Sequence, residues 1–167
     1  LKTGERVVVK VQHANIESKV NEDLEVLANL AQLAEQFEDF QPYRPKVNSA
    51  EMARTLRREL DFGREERNLH QFSLLFQDDS TVCIPKAYTE LSTARVLTMS
   101  MVDGLSIADP PLLDSAGINR EEVARRGAEL YLQMIFIHGF FHADPHPGNI
   151  LILPGDVIGL IDFGMVG

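Results

Sequence analysis

The chain opens on an apolar, β-branched run, Val7-Val8-Val9, closed by Lys10 and Val11, and this density predicts a short strand over residues 6–11. From about Asn15 the period changes. Ile16, Val20, Leu24, Leu27, Leu30, Ala31 and Ala34 recur at helical spacing with Glu, Asp, Lys and Asn between them, which predicts an amphipathic helix. Gln41-Pro42-Tyr43-Arg44-Pro45 interrupts that pattern and reads as a linker. A second helix is predicted to start near Asn48, which has Glu51 at capping-box distance, and to run through Met52, Leu56 and Leu60 to about Phe76. Gly63 weakens its middle by about 1 kcal/mol relative to Ala. After a turn at residues 77–80, Thr81–Ile84 and Arg95–Met101 are strand-like, joined by a hairpin-like stretch. Asp103-Gly104 is a turn, and Asp109-Pro110-Pro111 opens a loop or short helix. A third long helix fits Asn119 to His138, with Val123, Leu130, Met134 and Ile137 on one face. Two strands, 150–153 and 157–161, then flank the turn Pro154-Gly155-Asp156. There is no internal repeat and no low-complexity tract.

Composition narrows the partners. The chain has 167 residues, 44% of them apolar and 25% charged, enough for the core of one ordinary domain or part of a larger one. A net charge of −9 argues against nucleic acid, which needs a basic face. Cys83 is the single cysteine, so an intrachain disulfide is excluded and the thiol reads as a small buried hydrophobe suited to a reducing compartment. No apolar run reaches the length of a membrane span. The chain begins and ends in mid-pattern and is expected to be a fragment.

The candidate chemistry is concentrated near the end. His142-Ala143-Asp144-Pro145-His146-Pro147-Gly148-Asn149 places an Asp five residues before an Asn, and Asp162-Phe163-Gly164 adds a second carboxylate thirteen residues on. Phosphoryl transfer from ATP needs these groups together: one carboxylate near the acceptor oxygen, and an amide oxygen and a second carboxylate holding magnesium against the phosphates. The spacing fits the kinase signature set, in which a strand-borne Lys, here Lys10, meets the phosphates and is held by a helix-borne Glu. Met99 to Gly104, with Met99 and Met101, falls where an extended backbone would face the adenine edge, as well as reading as an ordinary strand and turn. The pattern predicts an α+β, two-lobed protein-kinase-like fold, with residues 1–101 in the first lobe, 102–104 as hinge and 105–167 starting the second.

Two longer phrases carry a family likeness. Gly139 to Ile150, and Glu59-Leu60-Asp61-Phe62-Gly63-Arg64-Glu65-Glu66-Arg67-Asn68, resemble the UbiB family of atypical, protein-kinase-like proteins, and the likeness covers nearly the whole chain. The resemblance implies that Lys10 is the ATP-phosphate Lys, Glu65 its helix partner, Asp144 the catalytic-loop Asp, and Asn149 and Asp162 the magnesium ligands. Helical geometry alone does not choose Glu65 over Glu66. The resemblance also implies that Glu59 and Asp61 form the Glu-x-Asp motif that meets a Lys-x-Gly-Gln segment over the site. It further implies ATP hydrolysis or lipid-linked phosphotransfer, a role in isoprenoid quinone (ubiquinone) synthesis with a lipid or quinone precursor as partner, and a place in the cytoplasm or at a membrane facing a reducing compartment. The Lys-x-Gly-Gln segment and the Ala-rich nucleotide loop are absent from residues 1–167, so this stretch alone is expected to bind ATP poorly.

Other readings compete. Ala143 stands where kinases often carry an Arg, so activity is expected not to depend on phosphorylation of an activation loop. His142, Asp144 and His146 also form a His-x-Asp-x-His triplet that would suit zinc if extended. A small-molecule kinase of the aminoglycoside or choline type and a pseudokinase scaffold are the remaining alternatives.

Overall fold

A computed structural model describes all residues 1–167. Strand β1 (Val7–Val11) pairs antiparallel with β3 (Val96–Ser100), Lys10 lying opposite Leu97 and Val8 opposite Met99. Helix α1 (Ile16–Ala34) and helix α2 (Pro45–Glu59) pack against each other. Helix α3 (Phe62–Leu75) leads to β2 (Val82–Cys83). Past β3 come β4 (Leu105–Ser106), α4 (Pro110–Ser115), α5 (Arg120–Gln133), β5 (Ile150–Leu153) and β6 (Val157–Leu160). The second sheet has the order β2-β6-β5-β4, with β2 parallel to β6 and the other pairs antiparallel.

The core joins the two sheets through α3. Leu69 and Phe72 of α3, Met99 of β3, Leu130 and Met134, Ile152, Ile158, Leu160 and Phe163 form one buried cluster. An aromatic group sits inside it: the Phe72 ring lies 5.1 Å from that of Phe163 and 4.9 Å from Phe140, with His142 edge-on to Phe163 at 5.5 Å. Such tilted pairs combine large apolar burial with favourable ring geometry.

Four expectations change. The single helix expected from Asn48 to Phe76 is two helices that break at Leu60-Asp61. Asp61 leaves the helical conformation and its carboxylate accepts the Gly63 N–H at 2.9 Å, so a strong N-cap overrides the continuous apolar period. Helix α2 begins at Pro45 rather than at an Asn48 capping box: Pro suits the first turn of a helix, and the Asn48 amide instead donates to the Tyr43 carbonyl at 2.7 Å. The strand at 82–83, expected within the first lobe, joins β6 of the second sheet, while residues 86–88 return along β3 through Tyr88 N–H to Thr98 and Ser100 N–H to Lys86. Finally, the third helix ends in a wide π-helical turn, Met134–His138. That turn advances fewer degrees per residue, so Met134 stays buried while Ile137, expected on the same face, is 74% exposed beside Phe136.

Candidate functional site

The site is assembled from β1, the α2–α3 junction and the two loops that end the chain. In β1, Lys10 leaves the strand towards α3. Helix α3 starts at Phe62, which turns Glu65 inward to 5% exposure. The Lys10 ammonium pairs with Glu65 and lies 3.1 Å from the Asp162 carboxylate. One ammonium thus joins a buried and a half-exposed carboxylate, which leaves one net negative charge at the site.

Helix α3 also fixes the backbone that carries Asp162. Glu65 accepts the Phe163 N–H at 3.2 Å, and the Asn68 amide donates to the Phe163 carbonyl at 2.8 Å. The residue is further held by the buried Phe163 ring against Phe72. Asp162 itself adopts a left-handed backbone, φ +71°, which Asp tolerates better than most side chains. Its carbonyl accepts from His142 Nε2 at 2.5 Å, and its carboxylate accepts the Gly164 N–H at 3.2 Å.

His142 is 1% exposed and both ring nitrogens are engaged. Nδ1 accepts the Asp144 N–H at 3.3 Å, so Nε2 carries the proton that goes to the Asp162 carbonyl. The imidazole therefore ties the two loops together. His146 Nδ1 is likewise taken by the Gly148 N–H at 3.0 Å. The zinc reading of His142, Asp144 and His146 fails for this reason: no cluster of three such side chains forms. Backbone pairing of Phe141 with Gly167 and of Ala143 with Met165 lays the two loops side by side.

Asp144 and Asn149 face each other. The Asn149 amide donates to the Asp144 carboxylate at 2.9 Å and to its carbonyl at 3.2 Å. With its nitrogen so used, Asn149 keeps its side-chain oxygen for a cation, and one Asp144 oxygen remains for a proton-bearing group. A hard cation favours such oxygen donors, so Asn149 and Asp162 fit magnesium chemically.

Glu59, at the end of α2, reaches over the second loop: a Cβ placed on Gly164 would stand 2.6 Å from its carboxylate oxygen. A larger residue there would push the Glu59 carboxylate aside. Burial pushes the Glu59 carboxyl above the usual range, and the neighbouring Asp162 and Glu65 charges add to the effect. Asp61 is the N-cap of α3 and lies 3.6 Å from Arg67. Burial, with the Asp144 charge as a smaller cause, pushes the Tyr131 hydroxyl up to about 12.

The structure thus brings Lys10, Glu65 and Asp162 into contact, sets Asp144 against Asn149, and hangs Glu59 over Gly164. It does not bring Met99 to an exposed edge. Met99 is buried in the core, and the Met101 N–H is spent on the Arg6 carbonyl at 3.1 Å, so neither donor faces a cleft. Sequence reasoning passed over Asn68 and Gln12. Asn68 lies three residues beyond Glu65 on the same helix face, a spacing that marks it. Gln12, whose amide donates to the Leu60 carbonyl and ties β1 to the helix break, carries no local signal.

The mixed sheets, the bridging α3 and the Lys–Glu–Asp contact define a two-lobed, α+β protein-kinase-like fold. A model of the ABC1 atypical kinase-like domain matches residues 1–167, and the chain belongs to that family, the one of the UbiB-type atypical kinases. It is 36% identical to the AarF domain-containing protein kinase 1 of Xenopus tropicalis over 152 residues, 91% of this chain and 29% of the relative. It is also 36% identical to the chloroplastic protein ACTIVITY OF BC1 COMPLEX KINASE 8 of Arabidopsis thaliana over 98% of this chain and 22% of the relative. The chain therefore spans less than a third of the curated relatives it matches. Among solved structures it resembles Rv3197 of Mycobacterium tuberculosis, determined with erythromycin, with a TM-score of 0.76 and 26% identity over 99% of this chain and 41% of that one. No helix is long and apolar enough to cross a membrane.

Proposed function

We propose that this chain forms the nucleotide-handling centre of a magnesium-dependent, ATP-using phosphotransferase or ATPase of the UbiB type. The observation that supports this most directly is the Lys10 ammonium in joint contact with Glu65 and Asp162. In this reading Lys10 meets the phosphates, Glu65 holds Lys10 in place, and Asn149 and Asp162 present oxygens to magnesium. When bound, magnesium supplies positive charge to the phosphate oxygens and favours departure of the leaving group. Asp144 orients the acceptor hydroxyl or water and takes up its proton, with Asn149 fixing the carboxylate's direction. The stretch around Met101 borders the adenine, with the Met101 carbonyl rather than its N–H as the polar group, and Met99 packs behind it.

Family membership extends the proposal to a role in isoprenoid quinone synthesis at a membrane surface facing a reducing compartment. The Glu59 and Asp61 pair is proposed as the seat for a covering segment of the chain. The test is ATP turnover by the whole protein. Asp162→Asn and Lys10→Ala should each lose about 100-fold or more, the scale of removing one fixed electrostatic group from a transition state. Asp144→Asn should lose turnover while a fluorescent ATP analogue still binds. Turnover untouched in all three would overturn the assignment. Quinone levels unchanged in cells lacking the protein, with the purified whole protein still turning over ATP, would remove the quinone role alone.

A further inference from the structure

A cleft of about 420 Å³ opens between the Asp103-Gly104 turn, the end of α4 and the β5–β6 turn. Its floor is apolar, with Leu105, Ile118 and the fully buried Ile152, and its wall is Pro154. The volume lies within the range of small-ligand sites, roughly 300–1,000 Å³. Two carboxylates, Asp103 and Asp156, stand at its edge, and none of the residues lining it is cationic.

The nearby cations are already engaged. Arg6 pairs with Asp103, both side chains being exposed. Arg126 is held by Glu122 at 2.7 Å and donates to the carbonyls of Gly155 and Asp156. Asp156 is held at φ +59° with one oxygen accepting the Asn119 N–H at 3.0 Å, so its carboxylate is fixed in direction and carries the uncompensated charge. An exposed pair such as Arg6–Asp103 is worth little and gives way to a better-placed cation. We propose that this cleft is a second binding site, separate from the nucleotide centre, for a small cationic amphiphile: an apolar body seated on Leu105, Ile118 and Pro154, with an ammonium directed to Asp156 and Asp103. Low-dielectric walls beside one sign of charge favour that polarity of ligand.

The test uses the whole protein and two matched probes, phenylbutylamine and its neutral isostere phenylbutanol, followed by ligand-observed NMR. The amine should bind more tightly than the alcohol by about threefold to fivefold, the scale of one exposed ion pair, and the gap should shrink in high salt. Asp156→Asn tolerates the left-handed backbone and still accepts the Asn119 N–H, so it removes charge while keeping the fold; it should erase the preference for the amine. Ala116→Arg, at an exposed position on the rim, should abolish binding of both probes with the melting temperature unchanged. ATP should displace neither probe. Equal affinity of amine and alcohol, a preference surviving Asp156→Asn, or displacement by ATP would each overturn the proposal.

Discussion

Helix α3 and the α1–α2 pair are built on opposite terms. Helix α3 spends 14 residues and buries Glu65, Asn68, Leu69 and Phe72, polar and apolar positions on a single face. The α1–α2 pair buries only Leu24 and Ala31 and leaves Val26, Leu30, Leu33 and Met52 in the open. Both units read as amphipathic in sequence. The difference is in what they face. Helix α3 crosses from one sheet to the other, so its polar side chains serve loops from the far end of the chain. The α1–α2 pair faces mainly itself and adds a surface rather than a junction.

This contrast can be broken in activity first. Glu65→Ala should reduce ATP turnover by the whole protein by about 100-fold, since it frees Lys10 and the Phe163 N–H together, whereas Leu30→Ala on the open face of α1 should leave turnover within about twofold. Equal losses would show that the two units do not differ in their link to the site. In stability, Phe72→Ala should cost about 3–5 kcal/mol in urea unfolding, because it empties the middle of the aromatic cluster. Leu24→Ala should cost about 2 kcal/mol, at the low end for a buried Leu, since its surroundings collapse more easily. Asp61→Ala should cost about 1 kcal/mol through loss of the N-cap, and a melting curve that does not move would mean α3 is held by tertiary contacts alone.

The smallest effect is a dependence on pH. The Glu59 carboxyl is raised in the folded state, mainly by burial and then by Asp162. The folded protein therefore holds this proton more tightly than the unfolded chain. The resulting stability is fully present below the ordinary Glu range and is lost as pH rises through the raised value. Glu59→Gln should thus gain stability relative to the parent at neutral pH, with the gap closing as pH falls towards 4. A gap that widens on acidification would assign the wrong sign to the site.

Much of this was readable in the chain. The spacing of Asp144, Asn149 and Asp162 is local and survives without knowledge of the fold, and the β-branched run placed Lys10 on a strand. The strands at 150–153 and 157–160 were legible because a turn rich in Pro and Gly separates two apolar runs. What was not legible is non-local or competitive. The apolar period runs straight through Leu60, and only a capping side chain stops it. Glu65 and Glu66 are indistinguishable until the helix start at Phe62 sets the phase, which leaves Glu65 buried and Glu66 partly exposed. The partner of Val82–Cys83 lies some seventy-five residues ahead, and no residue near it says so. The π-helical turn that exposes Ile137 has no signature in a pattern of threes and fours.

The left-handed Asp162 has a final consequence. That backbone conformation costs about 1 kcal/mol, and it is held by His142, the Gly164 N–H and the Lys10 ammonium acting together. Whatever neutralises the carboxylate also relieves the crowding of negative charge that Glu59 and Glu65 impose there. A divalent cation should therefore work as a thermal brace before any turnover occurs: millimolar magnesium added without nucleotide should raise the melting temperature of the whole protein and leave that of Asp162→Asn where it was.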